Sequence, residues 1–193
     1  MTKFISRVIS RTFDFYFWFP VMLAVTLFRT GMTKEQVMIL LPTLAIVDVV
    51  VPILVFLRLM KKGTISDIDV SIRSERHYLF GFLLVVATAS TALSYFLGNN
   101  LFFILHLSGL ILVLTIFLTT FYFKISGHMM LNASSIFALN FLLGFHLWWL
   151  FLLVPLVGFA RIYLKKHTLS EVLAGGTVGI LEPYFILKLF DLI

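Results

Sequence analysis

Two short polar islands interrupt an otherwise lipid-soluble sequence, and both carry residues able to handle a phosphoryl group. One is Lys124-Ile125-Ser126-Gly127-His128; the other runs from Arg161 to His167 and Glu171. Ser126 is a favoured residue for starting a helix. The first N–H groups of a helix have no partner inside it, so together with the helix dipole they form an anion site. Gly127 allows close approach of a phosphate, and His128 could protonate a departing alkoxide. In the second island His167 and Glu171 stand four residues apart on one helix face. A carboxylate there can hold the imidazole in one tautomer and stabilise its cation, the arrangement that activates a histidine nucleophile. Arg161 adds a planar fork suited to phosphate oxygens.

Each of these residues also has a plainer role. Ser126 would serve as a simple cap, and His128 and Lys124 as polar anchors at a membrane interface. Thr168-x-x-Glu171 is a capping box, which accounts for Glu171 without catalysis. Lys165 and Lys166 suit contact with lipid headgroups. A third polar stretch, 60–77, holds Asp67, Asp69, Arg73, Glu75 and Arg76. Arg73 and Arg76 lie three apart, so a helical turn would present both to one anion; a solvated charge cluster is the ordinary alternative.

The elements that must position these groups are set by composition. Hydrophobic residues make up 61% of the 193-residue chain and charged ones 12%, whereas a soluble domain averages about 45–50% and 25%. An all-α polytopic membrane bundle, forming a single membrane-embedded domain over residues 1–193, is the class that fits. There is no cysteine, hence no disulfide framework or thiolate chemistry. The basic N-terminus leads into a long apolar run without a small-residue cleavage site, so it reads as a retained first span.

Seven spans of roughly 17–25 residues are expected at about 13–28, 36–58, 78–97, 101–123, 128–145, 147–164 and 170–190. Six would remain if 129–160 were one helix, but that helix would measure about 48 Å against a bilayer core of about 30 Å. Thr33 with Gln36 forms a capping box for the second span, and Gly98-Asn99-Asn100 is a tight turn. The three polar stretches are separated by two spans each, so all should emerge on one membrane face. Asp48, between Pro42 and Pro52, and Glu182 are intramembrane carboxylates. Such residues mark function by default, so a transporter or ion-conducting bundle is the competing expectation. Asn132 and Asn140 read as interhelical hydrogen-bond donors, Gly175 and Gly179 as a close-packing face, and Trp18, Trp148 and Trp149 as interfacial belt residues.

The second and third polar stretches resemble two signatures of the type-2 phosphatidic acid phosphatases, relatives of the vanadium haloperoxidases. Lys124-Ile-Ser-Gly-His128 is similar to the second. Arg161, five residues, His167, three residues and Glu171 is similar to the third, and the following Val-Leu-Ala-Gly-Gly also suits that family. The resemblance covers 124–179, with a fainter match at 67–76. It implies a helical membrane lipid phosphate phosphatase that uses no metal or other cofactor. His167 would be the nucleophile and His128 the general acid, with Arg161, Ser126 and the Gly127 N–H on the phosphoryl oxygens. The substrate would be a phosphatidate-like monoester or a polyprenyl diphosphate, with membrane lipids as the surroundings and no nucleic-acid partner.

The chain departs from the family in the first signature, normally Lys, six residues, Arg-Pro. Arg76 can stand for the arginine, but Asp69 occupies the lysine position and His77 the proline position. Arg73 or Lys124 must then supply the missing cation. Glu171 replaces the usual aspartate. Twelve cations, including Lys3, Arg7, Arg11, Lys61 and Lys62, fall on the motif side of the expected spans, against Arg29, Lys34 and Lys188 opposite. The positive-inside rule therefore places the active face in the cytoplasm, in the inner cell membrane.

Overall fold

The computed structural model describes residues 2–193, leaving aside the side chains of 15 and 16. Among these residues every regular element is helical: α1 Lys3–Thr12, α2 Phe15–Arg29, α3 Lys34–Leu44, α4 Val51–Lys61, α5 Arg73–Leu97, α6 Asn100–Thr119, α7 Gly127–Leu142, α8 Leu153–Tyr163 and α9 Leu169–Leu189. The expected all-α class is the one the chain adopts. Five segments are long and apolar enough to cross a membrane: Lys3–Arg29, Lys34–Lys61, Arg73–Leu97, Asn100–Thr119 and Leu169–Leu189. The expected spans 128–145 and 147–164 are shorter. The first is the 16-residue α7, and the second is a 3₁₀ turn, Trp148–Leu152, running into α8.

The chain forms two compact units, residues 27–124 and residues 1–26 with 125–193. In the first, α3 begins with the expected capping box, Thr33 and Gln36 each bonding the other's backbone N–H. The Gln36 amide also donates to the carbonyls of Leu97 and Gly98 at 3.0 and 3.1 Å, which ties α3 to the α5–α6 turn. Asn99 caps α6 by accepting from the Phe102 N–H. The expected span 36–58 is not one regular helix. Between Pro42 and Pro52 the backbone widens into a π-helical segment, Ala45–Val50. Pro52 lacks an N–H, so the preceding turn cannot complete its α-helical bonding. Asp48 lies in this widened turn and accepts a hydrogen bond from the Ser90 hydroxyl on α5.

The second unit holds α1, most of α2, and α7 to α9. Eleven of the sixteen residues of α7 are buried, including Asn132, Ser134, Ser135 and Asn140. The small residues of α9 make this possible: a Cβ on Gly175 would stand 2.5 Å from the Ser126 carbonyl oxygen and 3.1 Å from the Met129 Cβ. Gly175 and Gly179 therefore form the expected close-packing face. Gly144 and Phe145, both at positive φ, turn the chain after α7, and the Asn140 amide fastens this turn by donating to the Leu147 carbonyl. Asn140 thus staples a turn and does not join two helices by its side chain. Trp18 is not a belt residue. It is 2% exposed and its indole N–H donates to Asn132 Oδ1 at 2.8 Å, because a buried indole needs an acceptor. Trp148 and Trp149 remain exposed, as a belt position requires.

Candidate active site

The two signature islands of the second unit meet at the starts of α7 and α9. The Ser126 N–H donates to the Glu171 carbonyl oxygen at 3.1 Å, which joins the first residues of α7 to the first turn of α9. Gly127 opens α7 and His128 follows it. Ser126 occupies the capping position, yet its side chain makes no cap bond. Its hydroxyl is fully buried and has no hydrogen-bond partner among the described residues. The expected side-chain cap is therefore absent, because Ser126 is pressed beneath the glycine face of α9.

At the start of α9, Thr168 and Glu171 form the capping box in full. The same Glu171 carboxylate also meets His167. Its Oε2 lies 2.7 Å from His167 Nδ1 and accepts the longer bond, 3.3 Å, from the Thr168 N–H. One oxygen of Glu171 thus serves the capping bond and the contact with His167 together. His167 is 7% exposed and closes the loop that follows α8.

Arg161, in the last turn of α8, is 1% exposed. Its Nη1 donates to the Ser10 hydroxyl of α1 at 2.9 Å. His128 Nε2 lies 3.3 Å from Asp14 Oδ2, at ion-pair distance but outside hydrogen-bond alignment. Just beyond, the Asn132 amide donates to the carbonyls of Phe13 and His128. Ser10, Phe13, Asp14 and Trp18 thus fasten the N-terminal segment onto the residues around both signatures. Sequence reasoning missed Ser10 and Asp14. Asp14 did leave one signal, as the acidic residue at the edge of the first apolar run.

The first-signature residues belong to the other unit. Arg76 is 3% exposed; its Nε donates to the Val70 carbonyl at 3.2 Å and its guanidinium lies over the Phe80 ring. Arg73 is exposed and its Nη1 donates to the Tyr122 carbonyl at 2.8 Å. The two arginines thus have separate partners. Their acidic neighbours are engaged locally: Glu75 accepts from the Ser66 N–H and hydroxyl, and Asp67 from the N–H groups of Asp69 and Ser71. Lys124 is half-buried in the irregular link 123–126.

Chemically, the second unit assembles an oriented imidazole, a second imidazole beside a carboxylate, a buried guanidinium and a buried hydroxyl. No family model, curated protein or solved structure matches the chain.

Proposed function

We propose that this chain is an integral membrane phosphatase whose substrate is a lipid phosphate monoester or diphosphate. The carrying observation is the His167 Nδ1 to Glu171 Oε2 contact of 2.7 Å, made at a helix start joined directly to Ser126, two residues before His128. With Nδ1–H donated to the carboxylate, Nε2 keeps the lone pair that attacks phosphorus. The bond from phosphorus to the lipid oxygen breaks, the phosphoryl group passes to His167, and protonated His128 gives its proton to the departing oxygen. Neutral His128 then takes a proton from water as that water attacks the phosphohistidine, releasing phosphate and restoring both rings. Arg161, the Ser126 hydroxyl and the Gly127 N–H hold the phosphoryl oxygens, so most of the catalysis is positioning and charge stabilisation. A buried hydroxyl without a partner, at Ser126, supports an anion as the missing acceptor. Lys124, two residues before Ser126 in the chain, is the candidate further phosphate ligand.

The test is phosphate release by purified protein from a panel of phosphatidate and polyprenyl diphosphate in the presence of EDTA. Turnover should persist, vanadate should inhibit it, and His167→Ala should abolish both turnover and an acid-labile phosphoenzyme. Loss of activity on chelation, restored by Mg²⁺, would overturn the reading. The active face is assigned to the cytoplasmic side of the inner membrane. Lys62→Cys should accordingly resist impermeant thiol reagents in intact cells, and ready labelling would reverse the assignment.

A second reading, transport or ion conduction, is favoured by one observation: the Asp48 carboxylate in a π-helical turn of an apolar segment, bonded to Ser90. Intramembrane carboxylates and π segments often mark function. Asp48→Asn should leave phosphate release within about twofold of normal if the chain is a phosphatase. Solute flux into proteoliposomes, lost in Asp48→Asn, would favour the transporter.

A further inference from the structure

Helix α1 is amphipathic in an inverted sense. Its serines face inward: Ser6 and Ser10 are 0% and 2% exposed, and Ser10 bonds Arg161 of α8. Its apolar residues face outward, with Phe4, Ile5 and Val8 at 75%, 45% and 47% exposed. A water-facing helix would reverse this pattern. Lys3, Arg7 and Arg11 recur every fourth residue, so they form one exposed row on a third face. Phe13 leaves helical geometry (φ −95°, ψ 53°), so α1 does not continue as the same rod into α2. At ten residues, about 15 Å, α1 is too short to span a bilayer, and a cation on every turn makes hydrocarbon depth costly.

We propose that α1 lies in the plane of the membrane surface and binds anionic lipid headgroups. Phe4, Ile5 and Val8 enter the acyl boundary, as apolar faces of interfacial helices do. Lys3, Arg7 and Arg11 meet the phosphates of anionic lipids, the partner that a basic row beside an apolar face fits. The partner is the lipid surface and not a protein, because the exposed apolar residues sit on a helix that leads directly into the apolar helix α2. Through Ser10 and Arg161 this lipid-binding helix is fastened to the candidate active site. The inference does not depend on the phosphatase reading.

The absence of native cysteine makes site-directed spin labelling direct. Single cysteines replacing Lys3, Phe4, Arg7 and Val8 would be labelled in the full chain, reconstituted in nanodiscs of phosphatidylcholine with phosphatidylglycerol. Oxygen and nickel-chelate collision rates should place positions 4 and 8 together at acyl depth and positions 3 and 7 together at headgroup depth. Four water-accessible labels, or a depth that grows steadily from 3 to 8 as in a membrane-crossing helix, would overturn the proposal. A second measurement uses spin-labelled lipids. The wild-type protein should retain phosphatidylglycerol in preference to phosphatidylcholine, and the double variant Lys3→Gln/Arg7→Gln should lose roughly fivefold of that preference per cation. Equal retention of the two lipids by wild type, or an unchanged preference in the variant, would reject anionic-lipid binding. Both substituted side chains are exposed, and neither change introduces a helix breaker.

Discussion

Asp14 Oδ2 lies 3.3 Å from His128 Nε2, although 114 residues separate the two in sequence. Both side chains are about 15% exposed, so the pair is sheltered without being cut off from solvent. Negative charge therefore stands beside the nitrogen to which the proposed mechanism assigns delivery and recovery of a proton. Asp14→Asn keeps the shape and removes the charge. It should lower kcat about tenfold, about 1.4 kcal/mol in the barrier, with KM and Tm little changed. Steady-state kinetics on a short-chain lipid phosphate would check this; unchanged kcat would make Asp14 a bystander.

Glu171→Gln separates orientation from capping. Glutamine still reaches the Thr168 N–H as a capping-box residue, so Tm should stay near normal. It cannot supply negative charge to His167, and kcat should fall by roughly 10²–10⁴, as for amide replacement of a triad acid. A stable, fully active variant would reduce the carboxylate to a cap.

Gly175 tests whether the two signature helices must touch. An alanine Cβ would meet the Ser126 carbonyl oxygen at 2.5 Å, and backbone on the facing side cannot yield as a flexible side chain would. Gly175→Ala should cost about 1–3 kcal/mol of stability and reduce kcat by pushing Ser126 and His128 away from His167. Gly109→Ala is the control. Nothing lies within 4 Å of its Cβ, and alanine favours a helix by up to about 1 kcal/mol, so thermal unfolding should be unchanged or later.

Arg73 and Arg76 should respond differently to alanine. Arg76 is buried, bonded to Val70 and seated over Phe80; its loss should lower Tm as well as activity, since the Val70 carbonyl would lose its partner. Arg73 is exposed on the Tyr122 carbonyl. If Arg73 reads the phosphate, Arg73→Ala should cut kcat/KM at least tenfold with Tm nearly unchanged. Normal kinetics would leave Lys124 as the candidate for the missing cation.

The parts legible in the sequence were those that signal locally. Both capping boxes are written in four residues each, and the Gly175–Gly179 face follows from residue type. The His167–Glu171 pair follows from helical spacing. The N-terminal contacts were hidden because Ser10–Arg161 and Asp14–His128 bridge more than a hundred residues and no local pattern encodes them. Trp18 misled for the same reason: an aromatic near the start of an apolar run suits an interface equally well until Asn132 is seen beside it. Hydropathy also hid the π-helical turn, since Asp48 and two prolines interrupt a run whose average remains apolar.

The burial of α7 has a consequence for how the protein is made. A sixteen-residue segment with two asparagines and two serines is a poor candidate for insertion by its own hydropathy. During synthesis it leaves the ribosome before α8 and α9 exist to shield it. The partners already present in its unit are α1 and α2, and the bonds that they offer are those from Asn132 to Phe13 and from Trp18 to Asn132. The first helices of the chain thus serve as the docking partner for its most polar membrane segment until the last helix arrives to seal it in.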